Sequence, residues 1–195
     1  MEHRRVVAHR RMVRRYLPDP VDPAALVRIA RAALRGPTAG YSQGVSLVVV
    51  TDAVRRAAIA SLADEDAWVT RGRPPWLSPA PAHLVLCVEP AAYRRRYAEP
   101  GKDPATLAVP WWWVDGGAAL TLLLLAAVDE GLAAGFLGAH ALPSLAELLG
   151  LPEGVTPLGV VTVGRPAVEE RRAPRRRRPE AEVLHGERWG EPFPG

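Results

Sequence analysis

The chain has 195 residues, of which 48% are hydrophobic and 24% are charged. This apolar fraction can offset the entropy of ordering, so it excludes disorder over most of the chain, and the length favours a single domain over residues 1–195. The only cysteine, Cys87, has no partner in the chain, which excludes a disulfide-stabilised scaffold.

The net charge of +4 comes almost entirely from arginine, because Lys102 is the only lysine. Asparagine is absent, while Ala, Gly and Pro are abundant, a bias typical of GC-rich coding. The basic pI is therefore weak evidence for nucleic-acid binding. The arginines concentrate in residues 4–15 and 171–178, and these two clusters could converge on one anion or could be solvated termini.

The sequence also bears on location. Residues 1–16 lack the apolar stretch of a secretory signal. The longest apolar run, residues 118–128, is about half of what a membrane span needs, and Asp129 and Glu130 follow it at once. We expect a cytoplasmic protein without a membrane partner.

The first half of the chain alternates helix and strand signals. Residues 2–15 predict a helix with a narrow apolar stripe, and Asp22 is predicted to cap a second helix that begins with Pro23 and ends at residues 36–37. The predicted buried face of that second helix is Leu26, Ile29, Ala30 and Ala33. The β-branched run 45–51 is typical of a central strand covered on both faces.

Further elements follow in order. Asp52 is predicted to cap a helix ending near residue 62, and Ser144 with Glu147 forms a capping box. Residues 115–130 predict a helix that is apolar nearly all round, so it must lie inside a large core or between subunits. The other predicted segments are loops at 64–81 and 99–110, a short helix or turn at 93–97, and strands at 83–89, 133–138 and 158–163.

No common catalytic or metal motif is present. The five histidines show no ligand spacing, and Cys87 lies in a predicted buried strand, where a thiol is usually inert. The residues 36–44, GPTAGYSQG, join a helix end to a strand and would let a flat ligand approach the backbone closely. Composition alone favours an ordinary loop there. Any chemistry must be carried by a bound group.

The order of two motifs indicates what that group is. The run RRMVRRY at residues 10–16, followed by PTAGYSQ at residues 37–43, resembles the FMN-dependent nitroreductase family. The resemblance continues through residues 115–119, 129–132, 148–152, 163–166, 175–179 and 188–190. It covers almost the whole chain, and the pieces occur in the family's order.

The resemblance implies an α+β fold with a mostly antiparallel central sheet flanked by helices, built as an intertwined homodimer. The long helix would lie at the dimer interface. Residues 171–195 would form a basic C-terminal arm that reaches the partner subunit, and two FMN sites would lie between the subunits.

The resemblance also assigns residues to the cofactor. The FMN phosphate and ribityl chain would be held by Arg10, Arg11, Met12, Arg14, Arg175 and Arg177. Guanidinium groups suit this role because they bind a dianion bidentately and stay charged. The isoalloxazine would be lined by Pro37, Thr38, Ala39 and Tyr41 of the other subunit and by Phe136, Leu137 and Gly138. Met12 stands where the family has serine, and Tyr41 where it has asparagine.

Five tryptophans lie in the predicted loop regions: Trp68, Trp76, Trp111, Trp112 and Trp113. They could wall the flavin face or pack at the dimer interface, and both interpretations remain open. Arg71 and Arg73 could supply a cation near the flavin, although solvated loop arginines are the simpler interpretation.

The implied function is hydride transfer from NAD(P)H through FMN to an electron-poor acceptor such as a nitroaromatic or a quinone. A flavin-binding carrier or sensor without turnover is the alternative that Met12 and Tyr41 favour. Nucleic-acid binding through residues 171–178 is a third hypothesis, and the prolines there and the lack of a reading helix argue against it.

Overall fold

The fold centres on a four-stranded antiparallel sheet. The computed structural model describes residues 2–167 and 176–193. Its strands are β1 (Val45–Val50), β2 (Ala82–Val88), β3 (Ala133–Gly138) and β4 (Thr156–Gly164). Their order across the sheet is β1-β2-β4-β3, and each adjacent pair is antiparallel. The predicted α+β class with an antiparallel central sheet is confirmed.

Helices cover both faces of this sheet. They are α1 (His3–His9), α2 (Pro23–Leu34), α3 (Ala53–Leu62), α4 (Glu65–Thr70), α5 (Pro90–Tyr97), α6 (Trp111–Asp129) and α7 (Leu145–Leu148). Short 3-10 turns occur at Ala39–Tyr41, Pro104–Ala108, Ala139–Ala141 and Glu180–Glu182.

The core is divided by β2, in which every residue is buried. Alternate side chains of a strand point to opposite faces. Leu84 and Leu86 therefore join α2 and α6 on one side, while Val85 and Cys87 join α3 and α7 on the other. Cys87 is fully buried, and burial raises the pKa of its thiol to about 11. The prediction of a core cysteine is confirmed.

Two helix starts follow the predicted capping. The Asp22 carboxylate accepts a hydrogen bond from the Ala24 N–H at 3.0 Å, and the Asp52 carboxylate accepts one from the Arg55 N–H at 2.8 Å. Each bond satisfies a backbone donor that the first helical turn leaves unpaired. The expected capping box at Ser144 is wrong, because Ser144 is left-handed (φ 59°) and its side chain makes no cap bond.

The predictions for both sheet edges are also wrong. The helix predicted over residues 2–15 ends at His9, because the following residues pair with the sheet instead: Met12 forms a parallel bridge with Ala134. The segment 45–51 is an edge strand rather than a central one, and Val49 is 45% exposed.

The predicted loops contain helical residues. Residues 64–81 include α4, and residues 99–110 include a 3-10 turn. Helix α6 begins at Trp111, four residues earlier than predicted, so Trp111, Trp112 and Trp113 are helical.

Helix α6 packs on α2 and on all four strands of the sheet. By length and composition it could cross a membrane, with 33% of its apolar stretch buried within the fold. The sequence estimate of a run too short to span was therefore wrong on length. One side of the helix remains open, since Trp113, Gly117 and Thr121 are exposed at four-residue spacing. A single chain does not enclose this helix.

Candidate functional site

The arginine segment, residues 10–16, lies along the outer edge of β3. The Val13 N–H donates to the Ala134 carbonyl at 2.9 Å, and the Ala167 N–H donates to the Arg15 carbonyl at 3.1 Å. The Tyr16 hydroxyl donates to the Val13 carbonyl at 2.7 Å and also lies 2.7 Å from the Thr162 hydroxyl. Backbone pairing thus fixes this segment and leaves its arginine side chains at the surface.

The Arg14 side chain packs on Trp76, which is itself held by buried hydrogen bonds. The Arg14 guanidinium lies 5.2 Å from the centre of the Trp76 ring, a cation–π contact. Trp76 is buried, and its backbone N–H donates at 2.7 Å to the buried carboxylate of Glu65. The same carboxylate accepts from the N–H groups of Leu77 and Ser78 at 2.6 and 3.1 Å. Trp76 is thus a core residue that braces Arg14.

Three side chains of the arginine segment, those of Arg10, Arg11 and Arg14, could offer positive charge to a ligand. Arg11 donates to the Ala8 carbonyl at 2.6 Å, at the end of α1. Among the residues that the structure describes, no carboxylate pairs with Arg10, Arg11 or Arg14. Unpaired guanidinium groups on a fixed backbone suit a phosphate dianion, so this donor set fits the FMN phosphate.

The strand β3 brings its backbone close to its neighbours. A Cβ at Gly135 would overlap the carbonyl oxygen of Val13 and would lie 3.0 Å from the Trp76 ring. At the end of β3, a Cβ on Gly138 would lie 2.7 Å from Nδ1 of His140. Glycine at both positions therefore lets neighbouring parts of the chain approach β3 closely. Phe136 and Leu137 lie between them, half-buried.

The 36–44 loop is held by side chains from α5 and α6. The Ala39 N–H donates to the Asp115 carboxylate at 2.8 Å, and the Tyr93 hydroxyl donates to the same oxygen at 2.7 Å. The Arg96 side chain donates to the Gly40 carbonyl at 2.5 Å. Asp115 is only 7% exposed. Burial, and then the Asp115 carboxylate, raise the pKa of Tyr93, so this phenol remains a donor.

The loop has an unusual backbone. Tyr41 and Gln43 adopt left-handed conformations, with φ of 60° and 52°, which residues other than Gly, Asn and Asp rarely adopt. The Tyr41 side chain is 73% exposed. The loop borders a pocket of about 470 Å³ that Pro37, Thr38 and Asp115 also line.

The predicted cofactor residues form two groups at opposite edges of the sheet. Arg10, Arg11, Met12 and Arg14 lie beside β3, the strand that carries Phe136, Leu137 and Gly138. Pro37, Thr38, Ala39 and Tyr41 precede β1. Three strand spacings separate these edges by roughly 14 Å, and the pocket beside the loop has no arginine of the first group in its lining. Arg177 is exposed, and Arg175 lies outside the described residues.

The sequence interpretation did not single out Asp115, Tyr93, Glu65 or the role of Trp76. One signal was available for Asp115, because it is the only charged residue between Trp111 and Val128. A lone acid in an apolar helix indicates a specific buried partner. The contacts of Trp76 depend on chain segments distant in sequence.

Comparison with known proteins defines the class. Residues 7–165 match the family model described as "Nitroreductase family". The chain belongs to the nitroreductase family.

Individual relatives agree with this assignment. An FMN reductase [NAD(P)H] of Bacillus subtilis (strain 168) is 29% identical over 92% of this chain and 71% of its own length. The solved structure of NfrA2 from B. megaterium superposes with a TM-score of 0.79 and 25% identity, over 97% of this chain and 75% of that one. The NADPH:FMN oxidoreductase from Vibrio harveyi, solved with NAD+, gives a TM-score of 0.77 at 26% identity, over 97% and 78% of the two chains.

Proposed function

We propose that this protein is a homodimeric, FMN-dependent oxidoreductase that passes hydride from NAD(P)H to an electron-poor acceptor such as a nitroaromatic or a quinone. Family membership and the relatives named for FMN and NAD(P)H support the cofactor and the donor. The observation that carries the proposal is the separation of the two groups of cofactor residues on opposite sheet edges.

This separation favours a site shared by two copies of the chain. Among the described residues of one chain, the pocket beside the 36–44 loop is lined by no residue of the arginine segment, and the two segments lie at opposite edges of the sheet. If two chains pack around their α6 helices, the loop of one can meet the arginine segment of the other. One chain would then bind the phosphate of each FMN, and both chains would contact its ring.

Open apolar surface supports the same assembly. Trp113 and Val114 on α6 are 43% and 52% exposed. In the C-terminal arm, Trp189 is 90% exposed and Phe193 is 56% exposed, so the described part of the arm buries little against its own chain. One edge of strand β1 has no neighbouring strand among the described residues, and an arm from a partner could cover it. We therefore propose residues 171–195 as an exchanged arm on a single FMN-binding domain, residues 1–195.

Different residues would bind the phosphate and the ring of FMN. Arg10, Arg11, Arg14, Arg175 and Arg177 would bind the phosphate, with the Met12 side chain as an apolar neighbour. Pro37, Thr38, Ala39 and Tyr41 of one chain, and Phe136, Leu137 and Gly138 of the other, would orient the ring and exclude water from it. When bound, FMN supplies the hydride transfer between NAD(P)H and the acceptor. No side chain of this protein is assigned a proton-transfer role.

Tyr41 favours a second candidate function, a flavin-binding carrier or sensor without turnover. Its phenol projects into solvent from the loop proposed to line the ring. A phenol lying across that ring would block stacking of the nicotinamide.

Stopped-flow reduction separates these two functions. Purified protein should contain about one FMN per chain, NADH or NADPH should bleach its absorbance anaerobically, and a quinone should restore it. Double-reciprocal plots should be parallel, because donor and acceptor would use one face in turn. Reduction that occurs only in Tyr41→Asn, or in neither protein, would support the carrier.

Light scattering tests the shared site. The protein should be a dimer at micromolar concentration, and Leu123→Asp should unfold it or make it insoluble, because Leu123 is fully buried in α6. A folded wild-type monomer that retains FMN would contradict the shared site.

The remaining expectations are part of the proposal. We propose a cytoplasmic protein whose partners are a second copy and a small-molecule acceptor, without nucleic acid or membrane. The packing of α6 against α2 and the sheet supports the absence of a membrane partner. Arg178 pairs with Glu182 at 3.1 Å, which lowers the charge that the arm could offer to nucleic acid.

A further inference from the structure

We propose that Asp115 is a positioning residue for the flavin ring, acting through the Ala39 N–H and the Tyr93 hydroxyl. This inference rests on the proposed function, because it concerns the loop expected to line the ring. Asp115, Tyr93 and the backbone of Ala39 are called the Asp115 cluster below.

In the Asp115 cluster, two hydrogen-bond donors meet at one carboxylate oxygen. One oxygen of Asp115 accepts two hydrogen bonds, from Ala39 at 2.8 Å and from Tyr93 at 2.7 Å. The three groups come from α6, the 36–44 loop and α5, which are distant in sequence. A carboxylate acceptor makes such bonds stronger than neutral ones, so the cluster ties the loop to the two helices.

Tyr93 is itself fixed. It is fully buried, and its ring lies edge-on to Trp112 with centroids 6.1 Å apart. Gly44 lies against the same ring, and any side chain at Gly44 would overlap it. Tyr93 therefore cannot turn away from Asp115, and its hydroxyl directs the carboxylate toward the loop.

The loop depends on this support. Its left-handed residues Tyr41 and Gln43 cost free energy that neighbouring contacts must offset. The second support comes from Arg96, which binds the carbonyl of Gly40, the residue after Ala39. The N–H of one residue and the carbonyl of the next are therefore both anchored, which leaves Thr38 and Tyr41 at the pocket that the loop lines.

This role differs from phosphate binding in a measurable way. The arginine segment is proposed to contact the phosphate, which riboflavin lacks, whereas the 36–44 loop is proposed to contact the ring that both flavins share. Loss of the Asp115 cluster should therefore weaken FMN and riboflavin by the same factor. Loss of Arg10 should weaken FMN alone.

The test uses Tyr93→Phe and Asp115→Asn in the full chain, with dissociation constants for FMN and riboflavin measured by fluorescence quenching. We expect both variants to weaken both flavins roughly tenfold. The double variant should bind no more weakly than Asp115→Asn, because both changes act through one carboxylate. Visible circular dichroism of the bound flavin at saturation should change in both variants, since the ring sits differently.

Glu130→Gln is the matched control. It also turns a carboxylate of the α6 region into an amide, but at the far end of the helix, where Glu130 pairs with Arg28 at 2.7 Å. Its flavin affinities and dichroism should equal those of the wild type. A similar change in this control would overturn the assignment to Asp115.

Other outcomes also decide the matter. Wild-type affinity and dichroism in the folded variants, or a loss confined to FMN, would overturn the positioning role while leaving the proposed function intact. If Asp115→Asn fails to fold, Tyr93→Phe decides, because it keeps the ring and removes only the hydroxyl. Wild-type protein that binds neither flavin would overturn the proposed function and the positioning role together.

Discussion

The two edges of the sheet that carry the proposed cofactor residues are built in opposite ways. At the β3 edge, the backbone of the arginine segment pairs with the sheet and the side chains remain available. At the β1 edge, side chains of α5 and α6 hold the 36–44 loop through its backbone.

The two edges differ because side-chain atoms would contact the ligand at the β3 edge, whereas a backbone with small side chains would contact it at the β1 edge. A long guanidinium side chain can reach a phosphate from a backbone that is fixed in a sheet. A loop that approaches a flat ring with small residues needs its backbone held by side chains from elsewhere. Damage at the β3 edge should therefore reach the core, while damage at the β1 edge should remain local.

The largest expected effect compares glycines at the two edges. Gly135→Ala should destabilise the fold by about 3 kcal/mol or more, because the new methyl group meets a backbone carbonyl that cannot rotate aside. Gly40→Ala should cost only about 1–2 kcal/mol, since it adds left-handed strain at φ 60° and brings the new methyl group 3.0 Å from the end of the Tyr97 side chain rather than against a backbone carbonyl. Urea unfolding measures both, and equal losses would remove the contrast.

Acid should weaken the fold as a whole through His83, which is buried in β2 between the two edges. Its Nε2–H donates to the Leu77 carbonyl at 2.9 Å, next to Trp76. Burial lowers the pKa of His83 from 6.5 to about 4; the lesser effects are the Leu77 hydrogen bond and Glu65, which raise it, and Arg56, which lowers it. Between these values the unfolded chain takes up a proton that the folded protein excludes, so stability falls as the pH falls, by roughly 3 kcal/mol in all.

Urea unfolding between pH 7 and pH 4 tests this effect. The variant His83→Gln cannot titrate, so its stability should depend less steeply on pH than that of the wild type. Parallel pH profiles for the two proteins would show that His83 does not contribute.

Removing the Arg10 side chain tests phosphate binding at the β3 edge and leaves the backbone pairing there unchanged. Arg10→Ala should weaken FMN by about 1.5–3 kcal/mol, the range for a hydrogen bond to a charged group, and leave riboflavin nearly unchanged. Arg31→Ala, on the exposed side of α2, is the matched control and should affect neither flavin. Equal losses for both flavins in Arg10→Ala would show that Arg10 does not contact the phosphate.

The smallest effect is a gain at the β1 edge. Tyr41→Asn should stabilise the fold by up to about 1 kcal/mol, because asparagine tolerates the left-handed backbone better than tyrosine. Thermal unfolding would show the gain, and Tyr41→Phe, which keeps the strain, should match the wild type. A lower melting temperature for Tyr41→Asn would mean that the exposed phenol makes a contact in the assembled protein.

Local signals predicted much of this fold. Asp22 and Asp52 cap their helices through a few neighbouring residues, and the run from Leu84 to Val88 is apolar throughout, so each could be identified without tertiary information. The family followed from the order of short motifs, and the comparisons confirm it.

The edges could not be predicted because partners distant in the chain decide them. Val45–Val50 has a core composition, yet it lies at the sheet margin, because β2 alone among the described strands pairs with it. The residues after His9 leave the helix because Ala134 offers them sheet pairing. The hydrogen bond from the Ala39 N–H to the Asp115 carboxylate likewise joins residues 76 positions apart.

The single cysteine makes it possible to measure how often the centre of the sheet opens. At pH 7 a thiol of pKa about 11 is ionised in roughly one molecule in ten thousand. The Cys87 side chain is also buried between the sheet and helices α3 and α7, so a thiol reagent reaches it only after this packing opens at the centre of the sheet. The rate of thiol labelling therefore reports how often the centre of the sheet opens, with no second thiol in the sequence to confuse the signal.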